Sequence, residues 1–357
     1  MRIAVAMSGG VDSSTAAALL QEQGHDVFGL TLKTHTSTGQ SARVCCSSDV
    51  LSDALRVAEQ LRIPFEVVNC QEVFAREVIR PFAEAYRDGR TPNPCIECND
   101  RIKFGLLWER AAGMGAERLA TWHYARIERG SGGLHLRRGR DRGKDQTYFL
   151  YRIGGRLDRL EFPLGDLTKD EVRVEARRLS LPVADKPASQ EICFVGADGY
   201  AALVEETLGL RLRPGRIVDH AGRMLGEHSG THHFTVGQRH GLGVAAPEPL
   251  YVTGIDPIAA EVQVGTRAAL LVREVEVEEV VWSEPPPAPT AVIEVQQRYR
   301  DRPKPAHLIA TEGTRVRVVF LEPVPRTAPG QAAVFYVGDR VVGGGTVARS
   351  TWTAGAA

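Results

Sequence analysis

The chain has 357 residues, 43% hydrophobic and 25% charged, with 44 basic side chains balanced by 44 acidic ones. That length predicts two or three globular domains, and no apolar run approaches the ~20 residues that a membrane span requires. The even charge balance excludes a protein that is basic overall, so any nucleic-acid surface must come from local clusters.

The first predicted element is a strand over 3–6, apolar without alternation, as a strand covered on both faces reads. Because the sequence starts directly on this strand, no signal peptide is expected and the cytoplasm is the expected location. Ser8-Gly9-Gly10 follows and brings backbone N–H groups together. A helix is predicted from about 13 to 23, stopping at Gly24. A helix N-terminus behind a glycine turn is an anion site, and phosphate is the expected anion. The turn lacks the Gly-Lys-Ser/Thr of a Walker A loop, and no lysine lies in it.

Further strands are predicted at 27–32, 65–69 and 118–121, with helices at 48–62, 73–86 and 104–112. Strands alternating with helices give a parallel, doubly wound α/β sheet. Ligands of such sheets sit beyond the carboxyl ends of the strands. The glycine turn, Lys33 and Thr121-Trp122-His123 all lie at such ends.

After about Gly196 the helical patterns thin and short β-rich runs take over: 215–218, 233–236, 250–252 and 261–264. The run 283–289, Ser-Glu-Pro-Pro-Pro-Ala-Pro, reads as a stiff linker. Strand-like segments follow at 291–297, 315–320, 331–336 and 340–347. The expected organisation is a catalytic α/β domain over 1–196, a small β-rich domain over 197–282 and an antiparallel β-barrel over 283–357.

The six cysteines are Cys45, Cys46, Cys70, Cys95, Cys98 and Cys193. In a cytosolic chain they point to metal binding or catalysis more than to structural disulfides. Cys95 and Cys98 lie in Thr91-Pro92-Asn93-Pro94-Cys95-Ile96-Glu97-Cys98-Asn99, and the prolines predict a restrained loop leading into the helix at Phe104. Their spacing fits a redox pair, half a zinc site or iron–sulfur ligation. Cys193, between Ile192 and Phe194, reads alone as a core residue.

Ser8-Gly9-Gly10-Val11-Asp12-Ser13 resembles the loop of the PP-loop ATP pyrophosphatases, which split ATP into AMP and pyrophosphate. Other blocks extend the likeness. They are Thr91-Pro92-Asn93-Pro94-Cys95 with Cys98-Asn99 and Ile102-Lys103-Phe104; Lys144-Asp145-Gln146 with Tyr148-Phe149-Leu150; and Phe162-Pro163-Leu164-Gly165. They continue with Ser189-Gln190-Glu191-Ile192-Cys193-Phe194, Gly237-Gln238-Arg239, Arg298-Tyr299-Arg300, Pro329-Gly330-Gln331 and Gly343-Gly344-Gly345. In this order, over essentially the whole chain, they resemble the tRNA-specific 2-thiouridylases (the MnmA/TrmU family).

The resemblance implies an ATP-dependent enzyme that adenylates the 2-carbonyl oxygen of the wobble uridine of tRNA and replaces it with sulfur. It implies ATP held with Mg²⁺ by Ala6, Met7, Ser8, Gly9, Gly10, Val11, Asp12 and Ser13, with Leu32 and Trp122 completing the site. A persulfide sulfur donor or carrier protein would load Cys193. Cys98 would be the nucleophile that frees the sulfur or closes a disulfide with Cys193. Asn93, Pro94 and Cys95 would surround the target base, and a base must leave its stack to be modified. His123, Lys144, Asp145, Gln146, Arg298, Tyr299 and Gln331 would contact tRNA. Two basic clusters, Arg137-Arg138-Arg140-Arg142-Lys144 and Arg298-Arg300-Arg302-Lys304, suit phosphate contacts. Some family members carry Asp at the position of Cys95; here Cys95, Cys98 and Cys193 offer three ligands for a [4Fe–4S] cluster with one open iron. The persulfide and cluster routes both stay open at this level.

Two positions depart from the family pattern. Trp122 replaces a glycine that lies against ATP, and Ala188 stands where an acidic residue precedes the Cys193 block. The competing readings are another PP-loop adenylating ligase or amidotransferase, and a tRNA-binding homologue impaired by Trp122.

Overall fold

The computed structural model describes residues 1–35, 48–130, 132–187, 192–209, 213–310 and 313–349. Cys45, Cys46 and Ala188 lie outside the described residues, as do Ser189, Gln190 and Glu191. The chain forms two compact units. The first comprises Met1–Ile79, Pro94–Ala197 and Asp339–Val341; the second comprises Arg80–Asn93, Asp198–Gly338 and Val342–Ala357.

The strands of the first unit are β1 (Arg2–Ala6), β2 (Asp26–Lys33), β3 (Phe65–Asn69), β4 (Arg118–Ala120), the hairpin β5 (Ala125–Gly130) with β6 (Gly133–Arg138), and β7 (Leu160–Glu161). β3-β2-β1-β4-β7 form one parallel sheet. Its helices begin with α1 (Val11–Glu22) and α2 (Ser48–Leu61). Ile3, Val5 and Met7 of the β1 segment pack with Ala17, Ala18 and Leu20 of α1 and with Ala54, Val57 and Ala58 of α2. Small alanines let α1 lie close to the sheet, which is why the amphipathic signal of this helix is weak and its burial nearly complete. Burying each large aliphatic side chain contributes about 1.5–3 kcal/mol.

The segment expected as a helix over 73–86 is helical throughout, as α3 (Gln71–Phe74), a π stretch (Ala75–Ile79) and α4 (Arg80–Arg87). The Cys-x-x-Cys segment corrects an expectation. It is no loop: α5 (Pro94–Glu97) opens a helix that continues in π geometry over Cys98–Leu107 and ends as α6 (Trp108–Gly113). Pro94 is tolerated because the first helical position needs no N–H donor. α7 (Lys169–Arg178) is closed at its start by a capping box between Thr168 and Glu171.

The second unit holds α8 (Gly199–Leu208) and a four-stranded sheet of β8 (Gly215–Val218), β9 (Met224–His228), β10 (Tyr251–Asp256) and β11 (Glu261–Gly265) in the order β10-β11-β8-β9. The strand expected at 233–236 is absent there. Residues Thr231–His233 make a 3₁₀ turn, and the Gly237 N–H instead donates to Val252 O. Phe234 and Val236 are nonetheless buried in the core of this sheet, so the alternation records packing and not pairing.

β12 (Leu271–Trp282), β13 (Ile293–Gln296), β14 (Lys304–Ala310), β15 (Val316–Pro325), β16 (Ala332–Val337) and β17 (Arg340–Val347) run β12-β15-β14-β13-β16-β17, and β12 pairs with β17 to close an antiparallel six-stranded barrel. The proline-rich run 283–289 therefore connects two barrel strands and does not precede the barrel. β12 escaped the reading because glutamates alternate with Val275, Val277 and Val280, while only one face is buried.

Candidate active site

β1 and β4 are neighbours in the sheet, and the chain leaves them on opposite sides of the point where strand order reverses. A crevice opens beyond the strand ends at such a point. The loop after β1 is built for close contact. Gly9 has φ +62, and a Cβ there would lie 2.3 Å from the Val50 carbonyl oxygen. The Ser8 amide donates to Ser13 Oγ at 3.0 Å, and the Ser13 and Ser14 hydroxyls donate to Gly10 O. Gly10 caps α1 with no side-chain bond, so the amides of the first turn stand open to an anion. Ala6, Met7, Val11 and Ser13 are buried, whereas Ser8, Gly10, Asp12 and Leu32 are half-buried.

Two lysines reach this loop from far along the chain. Lys169 Nζ lies 2.6 Å from Asp12 Oδ1, and Lys186 Nζ donates to Gly9 O at 3.0 Å and to Asp53 at 2.6 Å. The Tyr124 hydroxyl also donates to Asp12 Oδ1. Burial and the Asp12 charge push the Tyr124 hydroxyl far above its ordinary value, so it stays a donor. Sequence reading missed both lysines because nothing local marks them. The capping box of α7 is the one signal, since it fixes Lys169 at the first helical position.

His123 follows β4 and is 3% exposed. Its Nδ1 shares a hydrogen bond with Thr121 Oγ1 at 2.8 Å, and its ring packs among Phe104, Phe162 and Trp122. Expected to face tRNA, its ring is interior. Burial, aided by the Lys103 charge, holds the imidazole well below its ordinary value and therefore neutral. The unfolded chain takes up a proton near pH 6.5 that the folded chain refuses, so stability is lost as pH falls through about 6.5. Thermal unfolding across that range is expected to show this slope, and His123→Asn to flatten it; an unchanged slope in the variant contradicts the assignment.

Trp122 does not project freely. It is packed against a buried cluster of Ala16, Tyr124, Leu164 and Val172, with Lys103 Nζ 4.9 Å from its ring centroid. Lys103 also donates to Asn99 Oδ1 at 2.9 Å, and Asn99 Nδ2 donates to Phe149 O. This ties the helix of Cys95 and Cys98 to the strand end carrying Trp122. Along that helix Cys95 is exposed and Cys98 half-buried; Cys193 is also half-buried. Next to Cys193, Phe194 packs edge-on against Phe74.

The first basic cluster is largely ion-paired. Arg137 meets Glu128, Arg138 meets Asp145, Arg140 meets Glu171, and Arg142 meets Asp339. Asp145 is 9% exposed and accepts from Gly139 N–H and Thr147, so its carboxylate shapes the loop from within. Burial raises it above the ordinary carboxylate range. Gln146 accepts from the Tyr124 amide, and Lys144 is half-buried. In the second unit Arg298 donates to Arg326 O, Gln331 donates to Thr91 O at 2.8 Å, and Tyr299 lies beneath Arg300. Arg300, Arg302 and Lys304 are exposed.

Residues 1–197 match a family model described as a tRNA methyl transferase HUP domain, 203–266 its PRC-barrel domain, and 272–347 an aminomethyltransferase beta-barrel domain. A tRNA-specific 2-thiouridylase MnmA of Geobacter metallireducens is 49% identical over 354 residues, covering 97% of this chain and 96% of that protein. One of Geotalea uraniireducens is 47% identical, covering 97% and 94%. A solved 4-thiouridine synthetase–RNA complex with bound ATP is 15% identical, with TM-score 0.35, over 58% of this chain and 50% of that one; the likeness is too partial to carry an argument.

Proposed function

The chain belongs to the tRNA-specific 2-thiouridylase family, and on that footing we propose that it converts the wobble uridine of tRNA to 2-thiouridine at the expense of ATP. The observation that carries this reading is the pairing of a glycine anion loop at the sheet's switch point with a Cys-x-x-Cys helix tied to the neighbouring strand end. A methyl transferase, the word in the family model's description, needs neither an α–β phosphate-cleaving loop nor these thiols.

The ATP phosphates lie on the amides of 9–13, against Lys169 and Lys186. Both bonds to Asp12 fall on Oδ1, which suits Oδ2 to hold Mg²⁺; the ion would neutralise phosphate charge. Trp122 meets the nucleotide with its backbone, its indole being taken up by the cluster of Ala16, Tyr124, Leu164 and Val172. The uridine O2 attacks the α-phosphorus, the bond to the bridging oxygen breaks, and pyrophosphate leaves. The terminal sulfur of a Cys193 persulfide then attacks C2 and AMP departs. The Cys98 thiolate attacks the Cys193 sulfur, forming the Cys98–Cys193 disulfide, and the released electron pair leaves sulfur on C2. A thiol reductant reopens the disulfide for the next turnover.

Asn93, Pro94 and Cys95 border the flipped base. Lys144, Gln146, Arg298, Tyr299 and Gln331 position tRNA, and His123 and Asp145 support that surface from inside. The three thiols also suit a [4Fe–4S] cluster chemically, which would supply an iron for exogenous sulfide. Iron content after anaerobic reconstitution separates the routes. The three-domain division is likewise a proposal, with β12 counted into the barrel.

Two experiments test this reading. With tRNA labelled by ¹⁸O at uridine O2, the label is expected in AMP; its retention in tRNA or appearance in water overturns the adenylation step. Lys169→Met is expected to raise the KM for ATP about tenfold or more, since the Asp12 carboxylate loses its cation beside the phosphates. Lys169→Arg should recover part of that loss. An unaltered KM in Lys169→Met removes the lysine from the site.

A further inference from the structure

We propose that Glu205, His232 and His233, in the second unit, form a binding site for one divalent transition-metal ion of the zinc type. The ligating atoms of these three side chains lie within 4.8 Å of one another. His232 Nε2 and Glu205 Oε1 are 3.0 Å apart, and the two imidazole rings are 4.1 Å apart between centroids. Zinc bonds of 2.0–2.1 Å in a tetrahedron place ligand atoms ~3.4 Å from each other, so side-chain rotation alone closes the set. Two nitrogens and a carboxylate oxygen suit a borderline ion such as Zn²⁺ or Co²⁺. Three protein ligands leave a fourth position for water.

The cluster is more than a packing accident. His232 is 1% exposed, yet its Nδ1 has no hydrogen-bond partner among the described residues. Buried polar groups are paired in the great majority of cases, so an open nitrogen on a buried imidazole asks for a further partner. The His232 ring is folded tightly on Gly230, where a Cβ would fall 2.5 Å from Nδ1; only glycine permits this placement. Glu205 is 41% exposed, which gives an ion a way in. Since Glu205 sits on α8 and the histidines follow β9, a bound ion pins α8 to the turn and stabilises the folded chain by mass action.

Full-length protein freed of metal by chelation and titrated with Co²⁺ tests this. One equivalent is expected to bind with tetrahedral d–d absorption, without the charge-transfer band of thiolate ligation, and to raise the melting temperature. His233→Ala and Glu205→Gln alter partly exposed side chains and so should still fold. Each is expected to weaken Co²⁺ at least tenfold and to abolish the thermal shift. Absence of that spectrum from the wild type, or equal affinity in both variants, overturns the site. Because the readout is metal binding, it stands apart from tRNA thiolation.

Discussion

Cys98→Ser and Cys193→Ser are each expected to abolish 2-thiouridine formation, by roughly three orders of magnitude or more, while ATP binding persists. A serine hydroxyl can neither carry a persulfide nor attack one at neutral pH, whereas a thiolate does both. Both side chains are half-buried, so the exchange of sulfur for oxygen should cost little stability. The two variants should also differ. Cys193→Ser cannot be loaded with sulfur at all. Cys98→Ser can be loaded, and intact-protein mass spectrometry should find its persulfide accumulating. Substantial 2-thiouridine from either variant would remove that cysteine from the reaction.

Gly9→Ala is expected to lower ATP affinity by about 100-fold, and Gly10→Ala to be nearly silent. Alanine at the φ of +62 that Gly9 adopts costs on the order of 1–3 kcal/mol. Its methyl would also stand 2.3 Å from the Val50 carbonyl oxygen, which forces the loop and α2 apart. The phosphate-facing amides would turn with the loop, and ~2.7 kcal/mol corresponds to that fold-change. Gly10 has an ordinary φ of −100, and the nearest atom to a methyl there is Ser8 Oγ at 3.6 Å. Calorimetric titration with a non-hydrolysable ATP analogue, with circular dichroism as the folding control, checks the pair. Equal affinity of Gly9→Ala and wild type would mean that the nucleotide does not use this loop.

The features legible in the sequence were those whose parts are contiguous. The strand, glycine turn and helix of 3–22 could be read as a phosphate loop because each residue acts on its neighbours. Lys169 and Lys186 were invisible because they reach Asp12 and Gly9 from 157 and 177 residues away. Proline punctuation misled in both directions. Pro94 reads in the sequence as a breaker but starts a helix, and the run 283–289 reads as a boundary but joins two barrel strands. The interior position of His123 was hidden because the aromatic rings around it come from Phe104 and Phe162 as well as its neighbour Trp122. Trp122 reads from the sequence as able to block the nucleotide, whereas its indole packs against Ala16, Tyr124, Leu164 and Val172, which come together from distant parts of the chain.

The central claim is that this chain thiolates tRNA. Unmodified tRNA transcripts incubated with the protein, ATP and a persulfide donor, then digested to nucleosides and analysed by mass spectrometry, test it most directly. The expected product is 2-thiouridine at the wobble position, formed only with ATP and lost with Cys193→Ser. Nucleosides in which uridine is unchanged, or carries a methyl group in place of sulfur, would contradict it.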